Sequence, residues 1–129
     1  ALVAYEDEVR CRTAEALLCV SQIAPKGMDL VDMLDEIVNA AYYFTQAERV
    51  CLFFVDEVMN ELWAAKSTDL FEGVKIPLGQ GLCGYAAASG QVVNVTDCYN
   101  DPRFDRTWDL QTGFRTRSVL CVPIPPPEY

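Results

Sequence analysis

Gly79-Gln-Gly-Leu-Cys-Gly84-Tyr-Ala-Ala-Ala-Ser89-Gly90 runs directly into Gln91-Val-Val-Asn-Val95. A Gly-rich turn opens a short helix, Gly90 supplies its C-terminal stop, and a strand follows at once. The start of such a helix aims free backbone N–H groups and the positive end of the dipole at whatever lies above it, here through Leu82 and Cys83. The spacing Gly79-x-Gly81-x-x-Gly84 also matches a dinucleotide-binding turn. That reading fails because the preceding strand does not open a βαβ unit, and no acidic residue closes a second parallel strand about twenty residues on.

Upstream of the turn, Asp29 is a good N-cap for a helix whose Leu30, Val31, Leu34, Ile37, Val38 and Ala41 trace an apolar stripe. Arg49 to Val55 reads as a buried strand, Asp56 to Asn60 as a turn, Glu61 to Lys66 as a returning strand, and Val74 to Leu78 as a short strand near an edge. Downstream, Thr96 to Thr116 is a long polar connection containing Asp101-Pro-Arg-Phe104, and Arg117 to Ile124 is a final apolar strand. The order predicts an α+β domain with helices on one face of an antiparallel sheet.

Composition narrows the chemistry. The 129 residues suit one domain and are 51% hydrophobic; 10 Lys+Arg stand against 19 Asp+Glu, a formal charge of −9, and there is no His. The acidic balance argues against nucleic acid and against an anionic membrane surface. Absence of His excludes Ser-His triads, imidazole zinc sites and His-ligated haem. The charge is uneven: net −8 over residues 1–65 and −1 over 66–129, with Arg103, Arg106, Arg115 and Arg117 close together. Two readings stand for that group, local ion pairs on a solvated surface or a spot that tolerates an anion. Six Cys without a CxxC pair, and no signal-peptide pattern, predict free thiols in a reducing, cytoplasmic setting.

Residues 1–27 read as an N-terminal helix ending at Pro25-Lys-Gly27, with Leu2, Val9, Ala16 and Ile23 repeating every seven residues. Packing on its own domain and pairing in a homodimer are both compatible with that row. Residues 125–129 form a Pro-rich tail; Pro126-Pro-Glu-Tyr129 fits the PPxY pattern bound by WW domains, a four-residue match that also arises by chance.

The segment Gly81-Leu-Cys-Gly84-x5-Gly90-Gln-Val-Val-Asn-Val-x-Asp97-x-Tyr99-x-Asp-Pro-x-Phe104, continuing through Asp109-x-x-Thr112-Gly-Phe-Arg-Thr-Arg117 to Val122-Pro-Ile, resembles the GAF domain. The likeness is greatest to the GAF domains of cyclic-nucleotide phosphodiesterases and related adenylyl cyclases, and it assigns residues 28–124 to the domain. It implies a regulatory, non-enzymatic GAF/PAS-like fold, with a ligand pocket under a lid on the sheet face opposite the helices. The implied ligand is cGMP or cAMP, with no further cofactor and no metal. Its phosphate would lie on the backbone of Leu82 and Cys83, with Asp105, Asp109, Thr112 and Thr116 lining the nucleotide.

The departures are specific. Cys51 stands where the family often has a Ser on the first strand, and Ser67 and Thr68 stand near the place of a base-contacting aromatic–Asp pair, a role Phe71 could fill. The family's Asn-Lys…Phe…Asp-Glu signature, its usual last strand and its C-terminal helix do not follow Ile124. The resemblance therefore implies an apolar edge beside the first strand, with either a truncation or interruption near Ile124 or another segment covering that edge. Two other functions remain open. Gly81-Leu-Cys83-Gly84 also resembles the turn of free-methionine-sulfoxide reductases, where Cys83 would react. The second reactive Cys of that family falls in the lid, which has none here between Asn100 and Thr116, and Cys98 just before it is the only nearby substitute. Alternatively the fold serves dimerisation with an empty pocket.

Overall fold

The computed structural model describes residues 29–68 and 72–124. The expectations for the N-terminal helix, for Phe71 and for the Pro-rich tail lie outside the described residues. The remainder forms two compact units, one of 29–54 with 64–68 and 72–74, the other of 55–63 with 75–124.

In the first unit, helix α1 (Leu30–Thr45) starts where Asp29 accepts a hydrogen bond from the Leu30 N–H at 2.8 Å. Asp32 adds a negative charge to the first turn, favourable at the positive end of the dipole. The expected stripe is covered only from its second turn: Val38 is buried and Leu34, Ile37 and Ala41 are half-buried, whereas Leu30 and Val31 are both 57% exposed. The helix ends as Gln46 turns left-handed and returns its N–H to the Tyr42 carbonyl. Strand β1 (Cys51–Asp56) follows, and β2 (Glu61–Ser67) carries Ala64 into the interior. Lys66 reaches from β2 to Asp35 of α1 at 2.8 Å and to Glu72 at 3.2 Å, which holds its ammonium above the usual range.

The second unit begins with the hairpin turn. Asp56 accepts from the N–H groups of both Val58 and Met59 at 3.0 Å, and Asn60 takes a left-handed conformation that returns the chain into β2. Strand β3 (Lys75–Pro77) pairs antiparallel with β2, Leu62 lying opposite Ile76, and Pro77 ends the ladder. After the turn come helix α2 (Gly81–Ser89), strand β4 (Val93–Val95), a 3-10 turn at Cys98–Asn100, helix α3 (Thr107–Thr112) and strand β5 (Val119–Cys121). The core of this unit is Leu82, Ala86, Val93, Val95 and Cys98, with Tyr85, Phe104, Val119 and Cys121 packed around it.

The α+β class with antiparallel pairing is as expected, the described strands falling into two hydrogen-bonded groups, β1-β2-β3 and β4-β5. Two narrower expectations are corrected. The first strand is not buried: it lies at the edge of its sheet among the described residues, and Phe54 and Val55 are 40% and 50% exposed. The last strand is three residues, because its pairing with β4 runs only from Val119 opposite Val95 to Cys121 opposite Val93. Beyond that register Val122 and Ile124 are exposed. Among the described residues no helix is long and apolar enough to cross a membrane.

Candidate functional site

The Gly-rich turn is shaped by close approach. Gly79 and Gly81 have φ of +88° and +68°, where a side chain is strained. Gly84 is helical, but a Cβ there would stand 2.9 Å from the Pro77 carbonyl oxygen and 3.1 Å from the Gly79 nitrogen. The absence of side chains thus lets the start of α2 sit directly on the end of β3. That start carries no side-chain cap: Gln80 occupies the cap position, yet its amide donates to Asp105 Oδ2 at 3.0 Å instead of folding back onto the helix. Nor does the first turn contain an acidic residue. Leu82 is buried and Cys83 half-buried at this uncapped end.

The polar connection is organised rather than loose. Asp105 accepts from the Thr107 N–H at 3.0 Å and the Thr107 hydroxyl at 2.6 Å, which starts α3. These bonds and that of Gln80 hold its carboxyl below the ordinary range. Asp109, within α3, is 8% exposed and draws the segment together. Its Oδ2 accepts from the Tyr99 hydroxyl and the Thr116 N–H, and its Oδ1 from the Thr116 hydroxyl, all at 2.7 Å. Donation to Asp109 raises the Tyr99 phenol above its ordinary pKa. Arg106 and Arg115 both stack on the Tyr99 ring, at 4.6 and 4.3 Å from its centroid, and Arg106 also donates to the Tyr99 carbonyl. Arg103 instead forms a bidentate pair with Asp101, holding that carboxyl down at about 2, and covers the Tyr85 ring.

A thiol pair lies against the same helix start. Cys83 Sγ is 3.5 Å from Cys121 Sγ on β5. Cys121 keeps its proton, raised by the bond to Cys83 and by burial, while the same bond lowers Cys83 against the opposing effect of burial. Cys98 is fully buried, and its thiol is pushed up by burial and then by Asp101, Asp109 and Asp97.

The family model for the GAF domain matches residues 29–125. The chain belongs to the GAF domain family. Among its curated relatives, a dual 3',5'-cyclic-AMP and -GMP phosphodiesterase 11A from Takifugu rubripes is 33% identical over 109 residues, which are 75% of this chain and 12% of the relative. A probable 3',5'-cyclic phosphodiesterase from Caenorhabditis elegans is 28% identical over 113 residues, 74% of this chain and 15% of the relative. The chain therefore spans a small part of the curated proteins it matches. Among solved structures, the free methionine-R-sulfoxide reductase of Neisseria meningitidis in complex with its substrate superposes with a TM-score of 0.73 at 25% identity, covering 91% of this chain and 66% of that one. The GAF domain of a phosphoenolpyruvate-protein phosphotransferase from Coxiella burnetii gives 0.73 at 21% identity over 86% of this chain and 70% of its own.

Within this GAF domain the expected site residues divide between the units. Cys51, Ser67 and Thr68 lie in the first. Cys51 is half-buried at the start of β1 and Ser67 is buried at the end of β2. The Thr68 hydroxyl accepts the Val50 N–H and its own N–H donates to the Val50 carbonyl, both at 3.0 Å, so it extends strand pairing. The second unit holds Leu82, Cys83, Asp105, Asp109, Thr112 and Thr116. Asp105 meets the Gly-rich turn through Gln80, and Asp109 and Thr116 bond each other. Thr112 turns its hydroxyl onto the Trp108 carbonyl of its own helix. Sequence reasoning missed the part of Tyr99 and the nearness of Cys121 to Cys83. Both pairs meet only through the tertiary fold.

Proposed function

We propose that this GAF domain is a regulatory module that binds a cyclic nucleotide, cGMP or cAMP, and passes occupancy to an attached or partner domain. The observation that carries the reading is the uncapped start of α2, where Gln80 is diverted to Asp105 and the Leu82 and Cys83 backbone is left to meet an anion. The relatives named as 3',5'-cyclic phosphodiesterases support the same ligand class. A cyclic phosphate carries one negative charge, and backbone donors at a helix end hold it without His or metal.

Asp105 gives the switch its form. Its Cβ lies 3.7 Å from the position a Cβ on Gly81 would take and its carboxylate accepts from Gln80, so it stands beside the turn that would receive the phosphate. Ligand entry then breaks the Gln80–Asp105 bond and moves the start of α3. The difference in contacts between the two arrangements is what couples occupancy to an output. The output domain, a cytoplasmic setting and a homodimer through residues 1–27 belong to this proposal. Calorimetric titration of the 129-residue chain with each nucleotide tests it. Saturable heat with one or both is expected, and no heat with either at millimolar ligand refutes it.

A further inference from the structure

Cys83 and Cys121 are 38 positions apart in the sequence, yet their sulfurs approach to 3.5 Å, one at the first turn of α2 and the other at the end of β5. Helix α2 packs against β5, and β5 is paired along its length with β4, so both sulfurs are carried by ordered elements. Both thiols are half-buried, whereas Cys98 in the same core is fully enclosed. Hydrogen bonding to a neighbouring thiol favours the thiolate at Cys83, the form that reacts with oxidants.

From this geometry we infer that Cys83 and Cys121 form a reversible, peroxide-sensitive dithiol that closes into a disulfide clasp between the Gly-rich turn and the β4–β5 sheet. The chemistry balances with hydrogen peroxide as the oxidant. The Cys83 thiolate attacks one peroxide oxygen, the O–O bond breaks, and the leaving hydroxide takes a proton to become water. Cys121 then attacks the resulting sulfenic sulfur, the S–O bond breaks, a second water leaves and the S–S bond forms. Two electrons pass from the two thiols to the peroxide, and a dithiol reductant reverses the step. The closed form ties both ends of the segment that contains Asp105 and the Asp109 cluster, so oxidation constrains the part of the domain next to the turn. This inference stands on the thiol geometry and does not depend on which ligand the turn holds.

The test is peptide mapping of the native chain after treatment with hydrogen peroxide and alkylation of the remaining thiols, without reduction. The expected product is a Cys83–Cys121 linked peptide, with the loss of two alkylatable thiols and of two hydrogen masses, restored by dithiothreitol. Cys98→Ser should keep the link, and Cys121→Ser should convert Cys83 to a sulfenic acid trapped by dimedone. Native chain in which both thiols stay alkylatable, or in which Cys83 oxidises further or links elsewhere while Cys121 stays free, overturns the inference. Melting temperature gives an independent reading on the wild-type chain: the linked form should melt higher because its unfolded state is constrained. An unchanged or lower value counts against the clasp.

Discussion

Replacing Asp109 by Ala removes the acceptor around which residues 98–116 are arranged. The carboxylate is 8% exposed and accepts three hydrogen bonds of 2.7 Å, from Tyr99, the Thr116 N–H and the Thr116 hydroxyl. A hydrogen bond to a charged acceptor is worth about 1.5–3 kcal/mol net, so three unrelated ones would amount to roughly 4–9 kcal/mol. Two effects reduce that figure. Tyr99 and Thr116 are half-buried, so water can reach the released donors, and deleting the carboxylate also relieves its own desolvation. The expected net loss is about 3 kcal/mol, a drop in melting temperature of roughly 12 °C for a chain of this size. Urea titration followed by tryptophan fluorescence measures it, with Trp108 in the same helix as a local reporter. Thr116→Val, which deletes only the hydroxyl bond, should cost about 1 kcal/mol. A loss below about 1 kcal/mol for Asp109→Ala would refute the view that this carboxylate organises the segment.

Gly84→Ala forces a Cβ to 2.9 Å from the Pro77 carbonyl; it should destabilise by about 1–3 kcal/mol despite the better helix propensity of Ala, and an unchanged thermal midpoint would contradict the packing of α2 on β3. Leu62→Ala, at a 2% exposed position on β2, should cost about 2–5 kcal/mol in a denaturant titration, and a cost under about 1 kcal/mol would show that the site collapses freely. For pH, Asp101 is held down at about 2 by Arg103 and Asp105 is lowered by Thr107 and Gln80. Both groups ionise more readily folded than unfolded, so their contribution is complete above the ordinary value of 3.8 and disappears as pH falls through the folded values. Melting temperature should fall across that acid window, and Asp101→Asn should flatten the slope. An identical slope in the variant would contradict the pairing with Arg103.

Much of the fold was readable because its signals are local. Asp29 before a periodic apolar row marks the start of α1, Asp56 to Asn60 supplies a turn between two strand-like runs, and Gly90 ends α2. The family is carried by residues close together in sequence, from Gly81 to Ile124, and the match over 29–125 agrees with it. Helix α3 escaped notice because six residues show no apolar period, although Asp105 two positions before Thr107 is a capping signal in hindsight. RVCLFFV by itself looks like a buried strand; the open edge beside it was expected only from the family resemblance, and the sheet order of the described residues places β1 there. Part of the site was opaque for a similar reason. Sequence spacing singled out Asp109 and Thr116 separately, while their bonds to each other and to Tyr99 arise only when the chain turns at Gly113. The Cys83–Cys121 approach has no sequence signal at all, since it depends on how α2 lies on β5.

On the proposed function, the uncapped start of α2 receives the phosphate of a cyclic nucleotide. Amide spectra of the 15N-labelled chain, recorded during titration with cGMP and with cAMP, test it directly. The Leu82 and Cys83 amide signals should move saturably with at least one nucleotide, and inorganic phosphate at the same concentration should move them less. Signals for both residues that stay fixed at millimolar nucleotide, or shifts confined to residues away from the 79–84 turn, would contradict it.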